Sequence, residues 1–235
     1  MMKVNAVLFD LDGTLIDNSL ATSKIYEILP ERLCTILKRY GVQCDKTDLR
    51  DELRLLNRRM CLEGKYDRDL WWLTMLKAHC QSIQPSPTLL RDLTLEYWRL
   101  FETLGKPFPD AVETLTYLAY LDYKLGLVSE TDGLEGEKRR RLEIHSSVAR
   151  FFPMTLISGE DTDKTKIHSE PFVLAAARVN VKPENCMYVG DSPLIDVQGA
   201  AKAGMVTVLV YRGEWEKEVY PDYVITALSD LKKIL

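Results

Sequence analysis

The stretch Val4-Asn5-Ala6-Val7-Leu8-Phe9-Asp10-Leu11-Asp12-Gly13-Thr14 changes character halfway along. Residues 4–9 form a short, mostly apolar run with two valines, the pattern of a parallel strand buried on both faces. Asp10, Asp12 and Gly13 then break the run with acid and with a residue free to turn. An isolated Asp-x-Asp-Gly is more often a turn or a helix cap than a site. Its position decides otherwise here, because an open parallel sheet binds its ligands beyond the carboxyl ends of its strands.

Outward from this run the chain divides in two. Over residues 21–104 the spacing is helical. Ile25, Leu29, Leu33, Ile36, Leu37 and Tyr40 recur at three- and four-residue steps, with Pro30 starting a new helix or kinking one. Leu53, Leu56 and Met60 make a second stripe. Trp72, Leu76, Cys80 and Ile83 make a third, and Leu90, Leu93, Tyr97, Phe101 and Leu104 a fourth. Four amphipathic helices with short polar joints predict a small bundle. Pro85-Ser86-Pro87-Thr88 marks one joint, with Thr88 as the expected N-cap. After Gly105, strand patterns at 125–128, 154–157, 187–189, 206–211 and 223–225 alternate with helical ones, the last major helix closing at Gly204. Such alternation predicts an α/β fold, a doubly wound parallel sheet with helices on both faces, into which the helical block is inserted after the first strand. The expected division is a core of residues 1–18 and 106–235 and an inserted unit of residues 19–105.

Composition narrows the function. The 235 residues are 46% hydrophobic and 28% charged, with net charge −4, ordinary for a globular protein and without the basic excess that nucleic acid or an anionic membrane would call for. No apolar run approaches the ~18 residues of a spanning helix, and the short run at 6–9 is no signal peptide. A cytoplasmic protein is expected; oligomeric state is not readable. The five cysteines lack a C-x-x-C pair and read as small buried hydrophobes rather than as a disulfide framework.

The expected strand ends deliver a coherent set: Asp10 and Asp12 from the first, Ser129 from the second, and Gly190, Asp191 and, five residues on, Asp196 from a later one, with Lys164 and Lys166 ahead of the helix near Phe172. Clustered carboxylates repel one another unless a cation sits among them. An oxygen-rich set without histidine or thiol suits Mg²⁺, which needs few protein ligands; Asp10, Asp191 and one backbone carbonyl suffice. That charge and a lysine's would hold a phosphate dianion.

These residues also carry a resemblance. Asp10-Leu11-Asp12-Gly13-Thr14-Leu15, an apolar strand ending in Ser129, and Gly190-Asp191-Ser192-Pro193-Leu194-Ile195-Asp196 are similar to the first, second and fourth motifs of the haloacid dehalogenase-like hydrolase superfamily, mostly phosphatases. The likeness spans the chain outside the helical block, which stands where the family carries its first type of cap domain. The resemblance implies a Mg²⁺-dependent phosphomonoesterase acting on a small phosphorylated metabolite. Asp10 would be the nucleophile that forms an aspartyl-phosphate. Asp12 would be the general acid and then the base, its backbone carbonyl also a metal ligand. Ser129 would bind a phosphoryl oxygen, and Asp191 would complete the metal site with Asp196 in support. Gly13 would let the chain turn close to the phosphate, and Thr14 would orient the loop.

Two departures from the family pattern bear on detail. The family's lysine stands in Lys-Pro-x-Pro, whereas this chain has Lys164-Thr165-Lys166-Ile167-His168-Ser169-Glu170-Pro171. Lys166 is preferred as the cation, with Lys164 and His168 as alternatives. Glu130 follows Ser129 where many relatives have Asn, and is expected to point away from the substrate. Bland readings are kept elsewhere: Trp71 and Trp72 as bundle core, Arg58, Arg59 and the basic run 138–141 as solvated helix faces, and no role for His79 or His145. The alternatives to a phosphatase are a phosphomutase on a sugar phosphate, which would use the same residues, and a metal-independent 2-haloacid dehalogenase. A halide leaves without a proton, so Asp12 argues against the dehalogenase.

Overall fold

β1 (Ala6–Phe9) is the third strand of a six-stranded, all-parallel sheet. In a computed structural model describing residues 3–213 and 219–235, β1 is flanked by β4 (Lys124–Glu130) and β6 (Cys186–Gly190). β5 (Met154–Ser158) lies outside β4, and β7 (Val206–Val210) and β8 (Tyr223–Ile225) continue beyond β6. A short antiparallel pair, β2 (Ile16–Asp17) and β3 (Lys106–Pro107), joins the points where the chain leaves and re-enters this unit. The chain adds strands first on one side of β1 and then on the other, which makes the β1–β6 junction the switch point where such sheets bind ligands.

Alternate residues of β1 feed two cores, as the two-residue period requires. Val7 and Phe9 pack with Leu115, Leu127 and Val189 on one face; Ala6 and Leu8 pack with Val128, Phe172, Ala175 and Tyr188 on the other. The first face is covered by α5 (Ala111–Tyr120) and by Leu142 of α6 (Glu137–Ile144) and Val148 of α7 (Ser146–Ala149); the second by α8 (Glu170–Arg178) and α9 (Gln198–Lys202). The fold class is thus the doubly wound α/β arrangement that the strand–helix alternation predicts.

The contacts divide the chain into one unit of Met1–Asp17 with Lys106–Leu235 and a second of Asn18–Gly105. The second is four helices: α1 (Ser19–Arg39), α2 (Lys46–Leu62), α3 (Arg68–His79) and α4 (Pro87–Leu104). α1 packs on α2 and α4, and α3 on α4. Trp71 and Trp72 are buried in this bundle, and Trp72 Nε1 donates to Thr94 Oγ1 at 2.9 Å. Arg58 and Arg59 are exposed.

Four local expectations need correction. α1 runs as one helix through the buried Pro30, so no new helix starts there. α3 stops at His79; Cys80 is already extended and Ile83 is buried from the following turn, so apolar spacing outlasted the helix. Ser86, not Thr88, caps α4, because Pro87 fixes the first helical residue and Ser86 Oγ accepts from Leu89 N at 3.2 Å. Cys34 and Cys44 form a disulfide inside the helical unit, their Cα atoms 5.9 Å apart; of the other three cysteines only Cys186 is fully buried. Ten residues separate the pair in sequence, with no motif to mark it.

Candidate active site

Asp10 follows β1 directly, and its N–H donates to Val189 O at 3.0 Å, which locks it beside β6. The chain then doubles back: Leu15 and Ile16 N–H both donate to Leu11 O at 2.9 Å. Gly13 makes this turn with φ +81°, and a Cβ there would overlap the Asp191 carboxylate. Only glycine meets both demands. Thr14 is buried, and its hydroxyl donates to Asp191 Oδ1 at 3.4 Å.

Around Asp10 the strand ends converge. Ser129 Oγ donates to Asp10 Oδ1 at 3.3 Å. Lys166 Nζ lies 2.6 Å from Asp10 Oδ1 and 2.6 Å from Asp196 Oδ1, and also donates to Tyr188 Oη at 3.2 Å. Carboxylate oxygens of Asp10, Asp191 and Asp196 lie within 4.8 Å of one another. The structure therefore puts Lys166 against Asp10, while Lys164 and His168 are exposed. Glu130 turns sideways and fixes the lysine's loop: its carboxylate accepts from Lys166 N at 2.7 Å and from Ser158 Oγ. Asp196 sits in a buried turn, Pro193–Val197, with Oδ2 accepting from Ser192 N at 3.0 Å.

Burial and charge set the protonation states. Burial pushes the Asp10 carboxyl up to about 6, against the pull of Lys166 and with a push from Asp196 and Asp12. Asp191 is driven well above the usual carboxylate range by burial and then by the charges of Asp196 and Asp10. Burial alone would lower Lys166, but Asp10 and Asp196 hold it well above its ordinary value. Burial would also raise Asp12; the Arg141 and Lys138 charges beside it win and hold it far below.

Those last two residues correct the reading of 138–141 as a solvated face. Arg140 is exposed and Arg139 half-buried, yet Lys138 and Arg141, three apart on one face of α6, are buried. Both pair with Asp12 and with Asp132, itself wholly buried. A charged run hides buried members when one of its counter-charges, here Asp12, lies more than a hundred residues away. The one available signal was the three-residue spacing of Lys138 and Arg141.

Residues 4–204 match the haloacid dehalogenase-like hydrolases, and the chain belongs to that family. It is 32% identical over 216 residues to a glyceraldehyde 3-phosphate phosphatase of Methanopyrus kandleri, covering 91% of this chain and 86% of that one. It is 30% identical to pyrophosphatase PpaX of Bacillus mycoides, over 100% of this chain and 98% of that one. Among solved structures, a HAD phosphatase from Thermococcus onnurineus superposes with TM-score 0.68 at 25% identity, covering 98% and 97% of the two chains. A 2-haloacid dehalogenase from Pseudomonas syringae superposes with TM-score 0.65, also at 25% identity, covering 98% and 97%. The protein is a hydrolase, and its curated relatives put it among the phosphatases of the family. Among the described residues no helix is long and apolar enough to cross a membrane.

Proposed function

We propose that this protein is a magnesium-dependent phosphatase that releases phosphate from a small phosphorylated metabolite through an aspartyl-phosphate on Asp10. The reading rests chiefly on one observation: a buried carboxylate at a central strand end, Asp10, touched by a hydroxyl and by a lysine at 2.6 Å. Asp10 attacks phosphorus and Ser129 Oγ donates to a phosphoryl oxygen. Lys166 neutralises charge that grows in the transition state, where positioning and electrostatics dominate phosphoryl transfer. Asp12 carries the proton between the leaving oxygen and water, its carboxyl raised from the low range set by Arg141 and Lys138 when the negatively charged phosphate binds beside it. Residues 19–105 serve as the cap domain that selects the leaving group, and the protein works in the cytoplasm.

The donors around Asp10 fit a small hard dication. The three acids Asp10, Asp191 and Asp196 offer carboxylate oxygens close to one another, two of them paired with one lysine. Asp10, Asp191 and the Asp12 carbonyl would hold Mg²⁺, with Asp196 in support; the ion would supply charge to bind and polarise the phosphate. Mg²⁺ is expected to raise Tm by about 5 °C or more at pH 8, from ligand linkage of about 2.7 kcal/mol at a hundredfold excess over Kd. Protons compete for the same oxygens as pH falls through about 6, the value for Asp10, so the shift should shrink at pH 5. Equal shifts at both pH values would speak against this metal site.

The direct test is phosphate release from p-nitrophenyl phosphate, glyceraldehyde 3-phosphate and pyrophosphate, with Mg²⁺ and with EDTA. Release that needs the metal is expected from at least one of them. Halide release from a 2-haloacid in EDTA would replace this reading with the dehalogenase, and an isomerised sugar phosphate without free phosphate would replace it with the mutase.

A further inference from the structure

We propose that Lys138, Arg141 and Asp132 are positioning residues for Asp12, a buried lattice of charge that fixes the direction of its carboxylate. The inference rests on the phosphatase reading, since it assigns a task to residues acting through Asp12.

The contacts alternate in sign. Arg141 grips Asp12 with two nitrogens, Nη2 at 2.5 Å from Oδ1 and Nη1 at 3.2 Å from Oδ2. The same Nη1 lies 2.8 Å and 3.0 Å from the two oxygens of Asp132. Lys138 Nζ lies 2.8 Å from Asp132 Oδ1 and donates to Asp12 Oδ2 as well. Each cation thus touches both carboxylates, and neither acid can turn without breaking two ion pairs. Accessibility gives the lattice a direction. The side chains of Asp132, Arg141 and Lys138 are 0%, 3% and 5% exposed, whereas that of Asp12 is 23% exposed. Three members lie behind, and the fourth is the one presented outward.

The layout follows from the chain. Asp132 lies two residues past the end of β4, and Lys138 and Arg141 share one face of α6, so a single strand–loop–helix segment braces the turn that follows β1. Stability alone is a weak reason to keep such a set, because well-packed apolar residues usually replace a buried ion network at no loss. Orientation is a stronger one. A planar guanidinium grips both oxygens of a carboxylate at once and fixes its plane, which a lysine or an apolar residue does not do.

The test compares Lys138→Met and Arg141→Lys with wild type, each also combined with Asp12→Asn, on p-nitrophenyl phosphate and pyrophosphate with Mg²⁺. Each single change should lower kcat by about tenfold or more with KM nearly constant, the cost of a misplaced reacting group. In the Asp12→Asn background the same changes should add less than about a twofold loss, because residues acting as a unit are not additive. Lys138→Arg should restore most of the rate lost in Lys138→Met. If Arg141→Lys does not fold, Arg141→Gln with Asp132→Asn keeps the charges balanced and enters the same cycle. Losses that multiply with Asp12→Asn, or that fall on KM, would overturn the proposal while leaving the phosphatase reading intact. A wild type that releases phosphate from neither of these nor from glyceraldehyde 3-phosphate would instead overturn the phosphatase reading itself.

Discussion

Asp10→Asn is expected to abolish phosphate release and to leave the metal-free protein at least as resistant to heat as the wild type. The first half follows from the proposed chemistry, because an amide cannot form the aspartyl-phosphate. A fall of at least about a thousandfold is the scale for losing a nucleophile. The second half follows from the electrostatics. Asp10 is 5% exposed, and its carboxyl is raised from 3.8 to about 6 by burial and by its acidic neighbours. A raised carboxyl holds its proton more tightly when folded. Its charge therefore costs nothing below pH 4, and the cost grows until it is complete above about pH 6, on the order of 3 kcal/mol for a shift of this size. A neutral amide at this position carries no such cost, and its oxygen can still accept from Lys166. The measurement is a pair: phosphate release with Mg²⁺, and Tm in EDTA at pH 7.5. Wild-type activity in the variant would sink the nucleophile assignment. A Tm well below wild type would show that Asp10 is held for structure.

Lys166→Ala should do the reverse for stability. The ammonium bridges Asp10 and Asp196 at 2.6 Å each, with side chains almost fully buried on both sides. Removing one partner from a buried pair costs roughly 3–5 kcal/mol, because the charge left behind has no compensation. Activity should fall by about a hundredfold or more through loss of transition-state charge neutralisation. Lys164→Ala is the matched control. Lys164 is exposed, and surface changes of this kind are usually within about 0.5 kcal/mol, so its Tm and rate should stay near wild type. An unchanged rate in Lys166→Ala would remove the lysine from the mechanism.

These residues also show what a sequence discloses. The core strands were legible because burial on both faces leaves continuous apolar runs, as in Ala6–Phe9 and Val206–Val210. The acids were legible because strand ends in a parallel sheet collect at one edge, so Asp10 and Asp191 could be paired across 181 positions without coordinates. The cation was harder. Residues 159–169, between β5 and α8, have no periodicity, and the choice among Lys164, Lys166 and His168 turns on the Glu130 carboxylate that anchors Lys166 N. The pairing of Asp132, Lys138 and Arg141 with Asp12 was not legible, because a charged run reads as solvated until its buried counter-charges are known. The Cys34–Cys44 bond was missed because pairing depends on how α1 and the chain after it return to the same place.

The place of β1 in the sheet bears on how the protein comes to be made. Its first residue pairs on one side with Lys124 and on the other with Cys186, so both of its neighbours are synthesised long after it. At about 5–20 residues per second, the ribosome adds the last of them on the order of ten seconds later. Until Lys124–Glu130 is made this apolar strand has no neighbour, and one of its edges stays open until Cys186–Gly190 follows, while the four helices of residues 18–105 emerge with mostly local contacts and can fold first. A chaperone that shields residues 4–9 would act in that interval, when the exposed apolar strand is open to wrong pairing.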